Sequence, residues 1–373
     1  MIKTWCALLL LMAVTFAVPF SVRAEDPIKL KYTRQEIEDK WRGRIQSFSD
    51  QGVIPLIDLL SFLRRENSKA VIRSTKQVMD KKGVALISFA GRWAPKEPGS
   101  RGHRWDYFIH RIVNADPDYF ILTTNKGGNN NWFKEKGGKP WHFIDQLEQQ
   151  VRGGDYAFIG EIEFRHYMAG FQCRAGVNRD MDIPLNGDNG HRVFQLSSQT
   201  GVPFSIHLEP EDKPLDALEE MLATYPKAKV IVSHFGQIRH PDRETKFGPK
   251  LVERLLSTYP NLYYDLSTGN PGRYYKCNDY KVMDTVIWED SFFGGQKNTL
   301  KVEYKNILTK FSNRFVVGFD TASNRSSTSY IEKRIKNIRL IMRDLPDYAK
   351  HNIGYRNAWF LLTGKPWEKS NSN

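Results

Sequence analysis

The feature that most constrains this chain is an alternation of short apolar runs with helix-spaced stretches. Eight runs stand out: 54–60, 84–89, 119–122, 158–164, 204–207, 230–233, 262–266 and 315–319. Each is rich in β-branched or aromatic residues and is short enough to be a strand. Helical spacing marks 70–81, 143–151, 192–199, 215–225, 250–259 and 302–311, and Gly83, Gly201, Pro226 and Pro260 punctuate several of their ends. Strands that alternate with helices pair in parallel, because a parallel neighbour requires a crossover. Eight of them predict an α/β fold of the (β/α)8 barrel type, closed by the first run lying beside the last. An open doubly wound sheet is the alternative. No Gly-rich phosphate loop follows any run to support it.

The ends of the chain complete this organisation. Lys3, the apolar stretch 5–20 and the small residues Val22 and Ala24 read as an export signal, cleaved before Glu25. The apolar stretch is shorter than the ~18 residues of a spanning helix, and no later stretch reaches that length, so no membrane span is expected after cleavage. Residues 25–50 form an extension with a lead helix around 34–48. Residues 51–367 form one barrel domain with helices at 331–342 and 355–362, and 368–373 is a tail. Removing Lys3 and Arg23 lowers the net charge from +13 to +11. That charge suits an anionic partner as well as it suits a generally basic exported protein. No recognised nucleic-acid module accompanies it. The mature chain keeps Cys173 and Cys277, which an oxidising compartment would allow to pair.

Period-two alternation sorts the strand side chains. Ser205, His207 and Glu209 share one face, and so do Glu161, Glu163 and Arg165. His234 follows the sixth run, and Asp320 follows Gly318 at the end of the eighth. Two imidazoles and several carboxylates at one barrel mouth suit zinc or a similar divalent ion. Other readings exist for each residue. Glu161 and Glu163 could be satisfied by Arg165, and Asp320 could cap the next helix. The connections 90–104, 123–142, 165–190 and 267–300 are long, and in a barrel they surround the active-site face. Arg92, Lys126, Arg165, Arg239 and Arg273 follow the second, third, fourth, sixth and seventh runs there. Such a ring of cations would suit a carboxylate or phosphate on a small-molecule substrate, and scattered solvated charges are the alternative. Trp132, Trp141, Tyr274 and Tyr275 could stack on a ring or simply pin the loops.

Several motifs together resemble a known family. Gly201-Val202-Pro203-Phe204-Ser205-Ile206-His207 resembles the fifth strand of the amidohydrolase superfamily, in its amidohydrolase-related, decarboxylase-like branch. Tyr225-Pro226-Lys227-Ala228-Lys229-Val230-Ile231-Val232-Ser233-His234-Phe235-Gly236 resembles the sixth. Pro260-Asn261-Leu262-Tyr263-Tyr264-Asp265-Leu266-Ser267 is similar to the seventh, and Arg314-Phe315-Val316-Val317-Gly318-Phe319-Asp320 to the eighth. Ile159-Gly160-Glu161-Ile162 is similar to the fourth strand of related metal-dependent hydrolases, and Asn357-Ala358 with Leu361-Leu362-Thr363-Gly364 to the C-terminal helix. The resemblance spans about residues 50–364. It implies a barrel whose one or two divalent ions activate water. By motif, His207 and His234 would be metal ligands, with Glu161 or Glu163 beside them. Asp320 would take a proton from the water.

One departure divides the functional expectations. The resemblance implies an Asp-x-His-x-His first strand, but here Asp58 is followed by Leu60 and Phe62. Neither can bind a metal. The residues that remain could hold a single ion, zinc foremost, in an open three-ligand site. This reading expects an exported or periplasmic hydrolase of C–N, C–O or P–O bonds in a small, perhaps anionic substrate. A decarboxylase-type lyase is possible on the same fold. If the metal is lost, His207 and His234 would serve as general acid and base, or the barrel would be an inactive binding protein.

Overall fold

The computed structural model describes residues 29–63, 69–91, 105–128, 143–176, 180–240, 244–277, 279–321 and 328–369. The expected export signal 1–24, Arg92, Trp132 and Trp141 lie outside them.

Eight parallel strands follow one another around a common axis. They are β1 (Leu56–Asp58), β2 (Val84–Gly91), β3 (Phe120–Leu122), β4 (Ile159–His166), β5 (Phe204–Leu208), β6 (Val230–Val232), β7 (Leu262–Asp265) and β8 (Phe315–Val316). β1, β2 and β3 pair in order, for example Leu56 with Val84 and Ile87 with Phe120. β4 through β8 form a second parallel run. The two runs meet at both edges through isolated parallel bridges. Thr123 faces Phe158 and Gly127 faces Ile162 at one seam, and Asp58 faces Val317 and Ser61 faces Thr321 at the other. Leu59 N–H donates to Val317 O at 3.0 Å, so the first strand does lie beside the last. The first run is shorter than expected and is split, with a two-residue strand at Phe62–Leu63.

The expected helices are present, within a few residues of the expected ends. They include Lys69–Lys82, Phe143–Arg152, Asp188–Thr200, Asp212–Thr224, Pro249–Thr258 and Val302–Lys310. Trp105–Ala115 fills the place between β2 and β3. Helices cover the outside and side chains fill the inside, so both faces of the strands are buried and the runs read as continuously apolar. Phe204 and Ile206 are fully buried on one face of β5, and Ser205 and His207 are buried on the other.

The lead helix Arg34–Asp50 closes the end where the strands begin. Thr33 and Glu36 form a reciprocal capping box at its start. Trp41 is 1 % exposed and donates to Pro117 O at 2.9 Å, and Arg44 donates to Ala85 O at 2.7 Å. The C-terminal segment packs under β1, where a Cβ on Gly354 would stand 2.7 Å from Pro55 O. Among the described residues no helix is long and apolar enough to cross a membrane.

The opposite end is built from the long connections. The 267–300 connection, read from sequence only as long, holds two antiparallel hairpins. They are Tyr274–Cys277 with Tyr280–Met283 and Trp288–Asp290 with Gln296–Leu300. The turn of the second uses Gly294 and Gly295, both at positive φ. Within the first, Tyr275 and Cys277 are buried while Tyr274 and Lys276 are exposed, a short alternation that the sequence does contain. Cys173 and Cys277 form a disulfide with Cα atoms 5.3 Å apart. It ties the connection after β4 to the hairpin after β7, and Tyr275 donates its hydroxyl to Met168 O across the same junction.

Candidate metal centre

Glu161 on β4, His207 on β5 and His234 just after β6 converge at the strand C-termini. β4 and β5 are in register there, with Glu163 facing His207. Val232 on β6 pairs with Tyr264 on β7, and His234 N–H donates to Asp265 Oδ1 at 2.9 Å. His234 adopts φ 64°, and Asp320, at the end of β8, adopts φ 49°. Among the described residues these are the two non-glycine positions in the left-handed region, where a Cβ is strained.

Glu161 Oε1 lies 3.3 Å from His207 Nδ1 and 3.3 Å from His234 Nε2. It is fully buried, and neither ring nitrogen meets it in hydrogen-bonding geometry, so it receives no hydrogen bond from the described residues. The ligand atoms of these three residues all lie within 4.8 Å of one another. A buried carboxylate oxygen without a donor is costly unless something else meets it.

The far side of each imidazole is held. His234 Nδ1 is 2.7 Å from Ser267 Oγ and 3.2 Å from Ser267 O. Ser267 Oγ donates to Asp265, so the proton between Ser267 and the ring belongs on Nδ1, and Nε2 keeps its lone pair toward Glu161. His207 Nε2 is 3.2 Å from Glu209 Oε1, which also accepts from Arg239 Nε at 2.8 Å. The same Nε2 lies 3.0 Å from Arg239 Nη2, so the Glu209–Arg239 pair holds the outer edge of the ring while Nδ1 faces Glu161. Histidines whose outer nitrogen is fixed by a carboxylate or carbonyl are the usual arrangement around bound metals. One oxygen and two nitrogens suit zinc or manganese.

The electrostatics follow from this crowding. Burial would raise the Glu161 carboxyl, but Lys126, His207 and His234 outweigh it and hold it well below its ordinary value. Burial likewise opposes the charge on Glu209, yet Arg239 and His207 bring it down to about 2. Burial alone would lower the His234 pKa. Glu161, with the charges of Asp320 and Asp265, instead raises it to about 9.

The expected ring of substrate-binding cations is not free. Arg165 pairs with Glu211, Arg239 with Glu209, and Arg273 with Asp284. Arg239 and Glu209 are both buried, and both reach His207 Nε2. Glu163 shares the inward face with Glu161 but turns its Oε1 toward Lys126, at 3.5 Å.

The β1 side is different. Leu60, Phe62 and Ala90 form a small buried apolar cluster. Asp58 accepts from Leu60 N–H at 3.0 Å, from Phe319 N–H at 2.8 Å and from the Ser61 hydroxyl. It clamps the first strand to the last. Its complete burial pushes its carboxyl up to about 7, against these hydrogen bonds. Asp265 and Ser267, which hold the His234 ring, are residues that the sequence reading quoted without assigning a role. A carboxylate at a strand C-terminus, followed two residues later by a hydroxyl, was the available signal.

Residues 142–282 match the profile of the amidohydrolase family. The match takes in Glu161, His207 and His234 and ends before Asp320. Among solved structures, a putative amidohydrolase from Staphylococcus aureus aligns at 13% identity, covering 83% of this chain and 99% of that one, with a TM-score of 0.50. A 4-oxalomesaconate hydratase from Rhodopseudomonas palustris aligns at 13% identity over 88% of this chain and 91% of that one, with a TM-score of 0.47. A dihydroxybenzoic acid decarboxylase from Polaromonas, with bound manganese and 2-nitroresorcinol, aligns at 12% over 83% and 96%, also at 0.47. No curated protein matches the chain in sequence. The fold is the (β/α)8 barrel, and the amidohydrolase resemblance read from the strand motifs is borne out.

Proposed function

We propose that this chain is an exported, amidohydrolase-type hydrolase of a small substrate, built around one divalent ion held by Glu161, His207 and His234. The observation that carries the proposal is the buried Glu161 Oε1, which no donor among the described residues meets in hydrogen-bonding geometry and which two imidazole nitrogens face at 3.3 Å. A divalent ion bound there would act as a Lewis acid and make water more acidic.

The protein's own part is orientation and proton transfer. Glu209 with Arg239 fixes the His207 ring, and Ser267 with Asp265 fixes that of His234. Asp320 is half-buried, and its charge reaches His234. Its carboxylate is the base that takes the proton from the attacking water and returns it to the leaving group. The disulfide ties the connection after β4 to the hairpin after β7.

Elemental analysis of protein purified without chelator, paired with amide, ester and phosphate substrate panels, tests this reading. About one zinc or manganese per chain, with hydrolysis that chelator abolishes and metal restores, is the expected result. Hydrolysis that persists in fully metal-free protein would refute the metal. An absence of both ion and turnover would leave a binding protein. Export is part of the proposal, with Glu25 as the mature N-terminus. The Cys173–Cys277 bridge supports it, because such bridges persist in oxidising compartments. N-terminal sequencing of the exported protein should begin at Glu25.

A further inference from the structure

Lys126 sits inside the candidate centre, and the chemistry above does not use it. Its Nζ lies 3.5 Å from Glu161 Oε2 and 3.5 Å from Glu163 Oε1. The same nitrogen stands 3.7 Å from the centroid of the Phe62 ring, close enough for a cation–π contact. The side chain is only 15% exposed, so this ammonium has given up most of its water for two carboxylates and an aromatic face.

The backbone puts it there. Lys126 N–H donates to Gly91 O at 2.7 Å, Gly127 N–H donates to Glu161 O at 3.0 Å, and Glu163 N–H donates to Gly127 O at 2.8 Å. The segment after β3 is thereby laid against β4. Gly128 then makes room. A Cβ at that position would stand 2.6 Å from Lys126 Cε and 3.2 Å from its Nζ. Lysine at 126, glycine at 128 and an aromatic ring at 62 form one arrangement.

Glu161 therefore faces two cation positions. Its Oε1 looks at the two histidines, and its Oε2 looks at an ammonium that is already in place. We propose that Lys126 is the built-in second cation of the site: it shares the charge of Glu161 and Glu163 with the divalent ion and limits the centre to one ion. Phe62, which fills a position where the resemblance implies a metal ligand, is the platform that holds it. An ammonium and a divalent ion beside the same carboxylate repel one another and compete for its charge. This inference rests on the one-ion reading, but it makes a separate claim about Lys126.

Calorimetric titration of metal-free protein with zinc and with manganese separates the two. The wild type is compared with Lys126→Met, with the charge-retaining Lys126→Arg, and with Gly128→Ala, which crowds the lysine without removing it. Lys126→Met should bind the ion at least about tenfold more tightly, or admit a second equivalent, because a competing cation has gone. Gly128→Ala should move in the same direction by less, and Lys126→Arg should stay near wild type. Gly128→Ala keeps the test alive if Lys126→Met does not fold. One ion in the wild type with unchanged binding in both Lys126→Met and Gly128→Ala would overturn the inference and leave the metal reading standing. No ion in the wild type but binding in Lys126→Met would overturn both the one-ion reading and the sharing, and would show Lys126 to exclude the ion outright. No ion in any variant would overturn both.

Discussion

The β4–β6 rim and the β1 rim of the same barrel mouth handle buried polarity in opposite ways. On the β4–β6 rim, Glu161, His207 and His234 turn ligand atoms toward one point, and their outer atoms are fixed by Glu209, Arg239, Ser267 and Asp265. On the β1 rim, Asp58 spends its carboxylate on Leu60, Phe319 and Ser61, while Leu60 and Phe62 pack with Ala90. The first rim is preorganised for something absent from the protein itself. The second is complete as it stands. A barrel strand without metal ligands can thus still hold the ring closed, because closure needs backbone pairing and one good clamp, whereas ion binding needs particular side-chain atoms.

The largest effect should come from the open rim. His207→Ala should abolish ion binding altogether, since it removes one of three ligands, and calorimetry on the folded variant checks this. Retained stoichiometric binding would break the comparison at its strongest point. On the closed rim, Leu60→Ala should cost about 2–5 kcal/mol through a core cavity while ion stoichiometry stays the same, as read from urea unfolding and metal analysis. A Leu60→Ala protein that sheds its ion would show the two rims to be coupled.

Smaller effects sharpen the contrast. Ser267→Ala leaves His234 in place but frees its outer nitrogen, and should weaken ion affinity by about 10–100-fold. Asp58 gives a pH signature that belongs to the closed rim alone. Its folded pKa, about 7, stands above the ordinary 3.8 of an aspartate, so the protonated form is the one that folding favours. Its contribution to stability is full below pH 3.8 and is lost as pH rises through 7. Asp58→Asn should flatten that window in a series of thermal melts. An equally steep decline in the variant would assign the effect to another group.

The fold was legible because its signals are local. Strands buried on both faces read as unbroken apolar runs, and residues such as Gly201, at φ 72°, mark helix ends wherever they occur. The 274–300 hairpins escaped because their residues are mostly polar and exposed, so alternation there spans only a few residues. The candidate site was half legible. Period two places Glu161 and Glu163 on one face and cannot choose between them. The choice is made by depth along β4, which sets Glu161 between the histidines and Glu163 against Lys126. The cations were visible as residues, but their partners Glu211, Glu209 and Asp284 arrive from other parts of the chain. No spacing rule encodes those pairings.

The central claim is a single ion on one rim and none on the other. Anomalous diffraction at the metal absorption edge, from crystals grown with zinc or manganese, tests it most directly. One peak is expected at about 2.0–2.2 Å from Glu161 Oε1, His207 Nδ1 and His234 Nε2, with no density beside Phe62. A second peak on the β1 side, or no peak between the two histidines, would contradict the account.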